Sequence, residues 1–148
     1  MKQKISAARL TLWVSWFAAL LVAVLAVFLP RLLDWYCRFR SLTKDEYRAI
    51  LIAYYCCVVV LEWAMWDMDR LLRNILAGKV FVRGNVKRIR ALRRHCGVIA
   101  LICLPAAIVY MPLLFVVIIM AFLCLVVSVV AQMMGAAVEL REENDLTI

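Results

Sequence analysis

The chain has 148 residues, of which 68% are apolar, and it carries a formal net charge of +8. Soluble globular domains are about 45–50% apolar, so this composition excludes a soluble fold, because too little polar surface remains to cover one. The length suits one compact unit, and spans of about 20 residues allow four crossings with short connections. We therefore expect an all-α, integral membrane four-helix bundle.

The first long apolar run covers residues 10–29 and contains no charged residue. It is longer than the 7–15-residue apolar region of a signal peptide, and no small-residue cleavage pattern follows it, so we interpret it as a retained first span. Residues 30–48 are rich in charges and predict a polar loop. In this loop Thr43 and Glu46 have the spacing of a capping box, which predicts the start of the next helix.

The second span is predicted at residues 49–66, and Glu62 is the one charged residue in it. An ionisable residue inside a membrane span is a candidate functional group, because its burial without a partner is costly. The structural alternative is that Glu62 reaches the membrane interface or pairs with a basic side chain such as Arg9 or Arg70. Both interpretations stay open at the level of the sequence.

Residues 67–95 form a strongly basic segment with only two acidic residues, and its nine basic residues are Arg70, Arg73, Lys79, Arg83, Lys87, Arg88, Arg90, Arg93 and Arg94. We expect residues 67–77 to extend the second span as a helix, with Asp69 and Arg73 paired at i,i+4 and Gly78 as its terminator. Asn85 is predicted to cap a second helix. Val86, Ile89 and Leu92 share one face of that helix, which is typical of an amphipathic helix in the headgroup plane.

Residues 96–138 contain no charge, and 43 residues are too many for one ordinary span. Because proline removes a backbone donor and breaks or kinks a helix, Pro105 and Pro112 favour a division into a third span at 96–110 and a fourth at 113–138. The alternative is one bent span with a re-entrant piece. Residues 139–148 are predicted to form an acidic helical tail.

The distribution of positive charge predicts the orientation of the spans. With four spans, thirteen Lys and Arg residues fall on one side of the membrane and five on the other. The positive-inside rule then places both termini and the 67–95 segment in the cytoplasm.

The basic segment and the acidic tail are the candidate binding surfaces. The segment suits anionic lipid headgroups, at about 1 kcal/mol per Lys or Arg, or a docking protein. Direct binding of nucleic acid is not expected, because Phe81 is the only aromatic residue of residues 68–95. We expect the tail to be attracted to the segment and a cytoplasmic partner to compete for that contact. The candidate residues are Lys79, Arg83, Asn85, Lys87, Arg88, Arg90, Arg93 and Arg94 of the segment and Glu139, Glu142, Glu143 and Asp145 of the tail.

Two further features concern the fourth span. Ala131 and Gly135 form a small-x-x-x-small step, which predicts close helix packing within the bundle, or alternatively the seam of a homo-oligomer. Gln132 is a polar group inside the span that can hydrogen-bond across such a contact.

No catalytic constellation is visible in the sequence. There is one histidine, His95, and only four glycines occur, so neither a histidine-based metal motif nor a glycine-rich phosphate loop is present. We therefore expect no enzyme activity, no metal and no cofactor.

Two stretches carry a resemblance to a known family. One runs from Ile75-Leu76 through Gly78 and Phe81 to residues 85–90, with the letters NVKRIR, and the other is the ending ELREENDLTI at 139–148. Together they resemble the bacterial membrane family catalogued as domain of unknown function 2975. The resemblance implies a four-helix protein of the bacterial inner membrane with no assigned activity, whose members are often encoded beside a helix-turn-helix regulator of the Cro/CI type.

These observations lead to two hypotheses about function. The first is a regulatory sensor, anchor or antagonist of a cytoplasmic partner, such as a helix-turn-helix transcription regulator. The alternative is a small oligomeric transporter or channel subunit that uses Glu62 and Gln132 along a polar path.

Overall fold

A computed structural model describes the backbone of residues 2–145 and the side chains of residues 11 and 13–144. The described chain folds into the helices α1 (Lys2–Arg40), α2 (Lys44–Leu76), α3 (Arg83–Val109) and α4 (Leu113–Asp145). Each helix contains a segment long and apolar enough to cross a membrane: Trp13–Arg40, Lys44–Leu76, Arg83–Val109 and Leu113–Asn144. The predicted all-α class with four candidate spans is confirmed.

The end of α1 differs from the sequence prediction. Residues 30–40, predicted as part of a polar loop, continue the helix. Leu33 is buried, and the rings of Trp35 and Phe39 stack one turn apart with centroids 6.3 Å from each other. The charged residues of this stretch therefore alternate with apolar residues at helical spacing. The helix ends only before Ser41, which has a φ of +53°.

The start of α2 is fixed by the capping box predicted from the sequence. The Thr43 hydroxyl accepts a hydrogen bond from the Glu46 backbone N–H at 3.4 Å, and the Glu46 carboxylate accepts one from the Thr43 N–H at 2.8 Å. These reciprocal bonds satisfy two amide donors that a helix start leaves without partners. The helix therefore begins at Lys44, five residues before the predicted second span.

The carboxyl end of α2 also follows the prediction. Gly78 has a φ of +76°, a conformation that residues with a side chain rarely adopt. The Lys79 N–H donates to the Asn74 carbonyl at 2.9 Å, and the Gly78 N–H donates to the Ile75 carbonyl at 3.0 Å. Gly78 thus terminates the helical extension of the second span.

Asn85 has a different role from the predicted helix cap. Val82 stands at the cap position without a side-chain bond, and Asn85 lies inside the first turn of α3, fully buried. Its amide donates to the carbonyls of Lys79 at 2.7 Å and Val80 at 2.9 Å, and its carbonyl oxygen accepts from the Asn74 side chain at 2.8 Å. Asn85 therefore fastens the connector at 77–82 to both α2 and α3.

Residues 83–95, the second part of the basic segment, belong to α3. One helix runs from Arg83 to Val109, so residues 83–95 are not a separate helix in the headgroup plane. Val86 and Ile89, which the amphipathic prediction turned toward lipid, are buried. Ile89 packs with Leu71 of α2, which explains the difference, because the apolar face is covered by protein.

Residues 96–138 form two helices joined by a short turn, which is the first of the two arrangements that the sequence allowed. The turn at 110–112 contains Tyr110, whose hydroxyl shares a hydrogen bond of 2.9 Å with the Tyr36 hydroxyl of α1. This bond and partial burial raise the pKa of Tyr110 above its ordinary value, so the phenol is neutral at physiological pH.

The helices are arranged as a row in chain order. Among the described residues, close backbone approaches join α1 to α2, α2 to α3 and α3 to α4, and no other pair of helices. Cys57, Ile99 and Cys103 form one buried cluster between α2 and α3. A row instead of the predicted bundle is compatible with a bilayer, because apolar faces in lipid do not need protein to cover them.

The small-x-x-x-small step of α4 packs within the chain. Ala131 is 3% exposed and belongs to the cluster of Leu71 and Ile89. Gly135 lies below Arg90 of α3, whose Nη2 would stand 3.8 Å from a Cβ atom at this position. The predicted role of the step in packing within the chain is thus confirmed.

Asn85→Ala is expected to lower the free energy of unfolding by about 2–4 kcal/mol, because buried carbonyls of the connector and the Asn74 amide lose their partner. Thermal unfolding of the purified protein in detergent, followed by size-exclusion chromatography, measures the effect as a lower melting temperature. The matched control is Lys87→Ala, an exposed position in the same turn of α3. Equal melting temperatures for the two variants would contradict the role given to Asn85.

Candidate functional site

The carboxyl ends of α2 and α4 and the amino end of α3 meet at one end of the row. We call residues 67–76, 83–95 and 139–144 the charged end. Because neighbouring helices are antiparallel, residues 83–95 and the acidic tail lie at the same end, although they are 44 or more residues apart in sequence.

An ion pair between Arg83 and Glu142 joins α3 to the tail. The Arg83 Nε donates to the Glu142 Oε1 at 2.8 Å, and the guanidinium also contacts the second carboxylate oxygen through Nη2. The predicted contact between tail and basic segment is therefore present. Both side chains are largely exposed, at 74% and 42%, and exposed pairs stabilise a fold only weakly. The pair is better suited to exchange than to holding the fold.

Four basic residues form a line along one face of α3. Arg83, Lys87, Arg90 and Arg94 follow one another at intervals of four, three and four residues, and all four are exposed. This spacing places side chains on one stripe of a helix, which we call the basic stripe. Among the described residues, only Arg83 of the stripe has an ion-pair partner.

A groove between α3 and α4 runs beside the first three members of the basic stripe. It has a volume of about 230 Å³ and is lined by Arg83, Lys87, Arg90, Val138, Glu139 and the backbone of Gly135. We call it the basic groove. Its three cations face one groove carboxylate, from Glu139, and the Glu142 carboxylate that holds Arg83. The groove therefore keeps an excess of positive charge.

Arg88 and His95 lie on another face of α3 and are engaged by α2. The Asp67 carboxylate stands 3.6 Å from the Arg88 Nη1 and 3.2 Å from the His95 Nε2. All three side chains are mostly buried, with exposures of 17–26%. Arg88, which the sequence placed among the binding residues, thus connects α3 to α2.

The remaining predicted residues differ in their placement. Arg93 points to α4, where its Nη1 donates to the Ser128 hydroxyl at 3.4 Å. Lys79 is exposed in the connector, whereas the buried Asn85 is closed to a partner. Glu143 is exposed, and the side chain of Asp145 lies outside the residues whose side chains are described.

Glu62 and Gln132 do not meet in the structure. Glu62 lines a cavity between α1 and α2, and its Oε1 is buried without a hydrogen-bond partner among the described residues. Gln132 is exposed on α4, which does not approach α1 or α2 in the described backbone. The two residues that the transporter hypothesis combined therefore belong to different surfaces.

Asp69 is a residue of this region whose full role the sequence did not indicate. The predicted pair with Arg73 is present at 2.7 Å, and the Trp16 indole also donates to the Asp69 carboxylate at 3.0 Å. The spacing of Glu62, Trp66 and Asp69 at i, i+4 and i+7 is a signal that all three share one face. The contact with Trp16 depends on how α1 lies against α2, which the sequence does not specify.

The described residues contain no group of three or more His, Cys, Asp or Glu side chains placed to hold a metal ion. The contacts that the charged end does contain include ion pairs of carboxylates with arginine and histidine side chains.

A comparison with known families matches residues 39–148 to the one described as "Protein of unknown function (DUF2975)". The chain belongs to the DUF2975 family. The match includes the complete helices α2, α3 and α4, and with them the basic stripe and the tail, so the resemblance noted in the sequence is confirmed for this part. Most of α1 lies outside the matched region. No curated protein and no solved structure matches the DUF2975 chain.

Reversing either charge of the Arg83–Glu142 pair is expected to release the tail of this DUF2975 protein. Arg83→Glu and Glu142→Arg should each increase the rate at which a protease of broad specificity removes the tail, because like charges then oppose each other. The double variant restores the attraction and should return the rate to that of the parent.

The matched control is Lys79→Glu, an exposed charge reversal nearby that leaves the pair intact. A double variant as sensitive as the single ones would contradict a direct contact between Arg83 and Glu142.

Proposed function

We propose that this DUF2975 protein is a multi-pass regulator of the bacterial cytoplasmic membrane that binds a soluble protein at its charged end. The observation that carries the proposal is the basic stripe, in which Lys87, Arg90 and Arg94 are exposed and lack an ion-pair partner among the described residues. Cations in this arrangement attract a partner with an acidic surface and set its orientation. The proposed role is one of binding, and it needs no catalytic group.

The proposed orientation places the charged end in the cytoplasm. Thirteen of the eighteen Lys and Arg residues lie at that end, in the connector beside it (Lys79) or in the amino-terminal residues before the first span, and the other five lie within residues 31–48. Positive charge is retained on the cytoplasmic side during insertion. The basic stripe would then face soluble cytoplasmic proteins.

The length of α3 allows its first turns to extend beyond the hydrocarbon core of the membrane. At about 1.5 Å per residue, the 27 residues of α3 extend about 40 Å, roughly 10 Å more than the hydrocarbon core. Because the uncharged residues 96–109 lie at the other end, the excess corresponds to about the first seven residues of α3, which include Arg83 and Lys87, and Arg90 and Arg94 lie at the headgroup level. We propose that anionic headgroups contact the arginines nearest the membrane, while the first turns of α3 extend beyond them.

The tail is proposed to compete with the partner for the basic groove. A partner carboxylate that binds Arg83 must displace Glu142, whereas Lys87 and Arg90 can attract the partner before this exchange. The exposed pair is weak enough for such an exchange. This arrangement supports the roles of sensor, anchor or antagonist, and the resemblance suggests a helix-turn-helix regulator encoded nearby as the partner.

The orientation predicts the behaviour of reporter fusions in living cells. Alkaline phosphatase, which is active only outside the cytoplasm, should be active when inserted at Leu42 and inactive when fused after Ile148. A green fluorescent protein should show the reverse pattern at the same two positions. Phosphatase activity after Ile148 would place the basic stripe on the outer side and end the proposal.

Binding of the partner should depend on the basic stripe and on salt. With the purified neighbouring regulator as ligand and the membrane protein in nanodiscs, Lys87→Glu together with Arg90→Glu should weaken binding about tenfold, since rim charges act mainly through attraction at a distance. Raising the salt concentration from about 0.1 M to 1 M should weaken binding to the parent protein.

The matched control is Arg38→Glu together with Arg40→Glu, two exposed reversals at the opposite end of the row. Binding that is absent in the parent, or equal in both double variants, would refute docking on the basic stripe.

A further inference from the structure

The cavity between α1 and α2 is separate from the basic groove, which lies between α3 and α4. It has a volume of about 240 Å³. Its walls include Glu62, Trp66 and Asp69 from α2 and Ser15 and Trp16 from α1. Pockets for drug-sized ligands begin at about 300 Å³, so this cavity suits only a smaller organic molecule.

One carboxylate of the cavity, that of Glu62, has no ion-pair partner among the residues whose side chains are described. The Glu62 Oε1 is buried and has no hydrogen-bond partner among the described residues. Asp69, in contrast, is bound by Arg73 and by the Trp16 indole. Arg70, which the sequence offered as a partner for Glu62, instead stands 5.0 Å above the Trp66 ring.

The register of the two helices is set by contacts on either side of Glu62. Ser15 contacts Met65, and the Tyr55 hydroxyl donates to the Ala26 carbonyl, so Ala19 lies opposite Glu62 and lines the same cavity. Residue 9 is ten positions from Ala19, or roughly 15 Å along the helix axis. The side chain of Arg9, the other partner that the sequence offered for Glu62, lies outside the residues whose side chains are described.

The residues around Glu62 indicate which kind of ligand could neutralise its carboxylate charge. A carboxylate in a membrane span is costly unless it is protonated or paired. The Trp16 ring and the face of the Trp66 ring opposite Arg70 can attract cations, and both indoles add apolar surface that suits alkyl groups. One uncompensated negative charge matches a monovalent cation, and an isolated carboxylate is a poor site for a divalent metal.

We propose that the cavity between α1 and α2 binds a small monovalent organic ammonium ion. Glu62 supplies the opposite charge, and the indoles of Trp16 and Trp66 contact the alkyl groups of the ligand. Asp69 holds the Trp16 ring in place through its hydrogen bond of 3.0 Å. This site is independent of the proposed docking at the basic stripe, because the two lie between different pairs of helices.

The first test compares choline with neohexyl alcohol, its uncharged carbon isostere, on the full-length protein in nanodiscs. Binding of labelled choline should be saturable, and neohexyl alcohol should displace it at least about tenfold less effectively, because it lacks the charge that Glu62 neutralises. Absence of saturable choline binding, or equal displacement by the two molecules, would overturn the proposal. This comparison requires no variant and is therefore insensitive to folding defects.

The second test assigns the site to its residues. Glu62→Gln should weaken choline binding about tenfold or more, and Trp66→Leu about threefold, the range of one contact between a cation and an aromatic ring. Two matched controls should bind choline like the parent. Asp45→Asn removes an exposed carboxylate at the start of α2, and Trp63→Leu removes an exposed indole that does not line the cavity.

Retention of full affinity by Glu62→Gln would overturn the assignment. An equal loss of choline affinity in Trp63→Leu and Trp66→Leu would overturn the assignment of Trp66 to the binding site. Either outcome leaves the docking proposal intact, since partner binding is measured on another surface.

Discussion

The close packing of α3 on α4 at Ala131 and Gly135 determines where the charges of this protein stand. In lipid, helices gain little from burying apolar surface, so close contact between backbones decides which helices pair. Ala131 is almost completely buried. A Cβ atom added to Gly135 would lie at van der Waals distance, 3.8 Å, from the Nη2 of Arg90. A Cβ atom at position 135 would also contact the Val86 side chain, so α3 lies directly over this position of α4. The packing contact therefore also positions the Arg83–Glu142 pair and the basic groove.

The faces of α3 divide its positive charges between structure and surface. Arg88 and His95 face α2 and contact Asp67, whereas Arg93 faces α4 and Ser128. The third face carries the basic stripe, which is largely unneutralised. An arginine that is mostly buried against a carboxylate is costly to separate from it, because an unpaired buried charge would remain, whereas an exposed one can exchange partners. One segment of sequence thus contains both structural and available cations, and only their angular position on the helix separates them.

The sequence was sufficient for those features that depend on neighbouring residues. The capping box of Thr43 and Glu46, the terminator Gly78 and the Asp69–Arg73 pair are all contacts within a few positions, and each was predicted correctly. Asn85 was misread as a cap because its partners, Asn74 and the connector carbonyls, are brought to it by the turn between two helices. For the same reason the sequence did not give the contact of Trp16 with Asp69 or the engagement of Arg88 and His95 by Asp67.

Helix α2 contributes residues to both the charged end and the Glu62 cavity. Asp67 and Asp69 are two positions apart, which separates their side chains by about 200° around the helix axis. Asp67 therefore faces α3 and holds Arg88, while Asp69 faces α1 and holds Trp16 at the edge of the Glu62 cavity. α1 makes no close backbone approach to α3 or α4 in the described chain. The direct route from a ligand beside Glu62 to the basic stripe runs through α2, as a rotation or shift that changes the contact between Asp67 and Arg88. A rigid α2 would leave the two regions energetically independent, because coupling between sites requires an element with two arrangements that both sites favour differently.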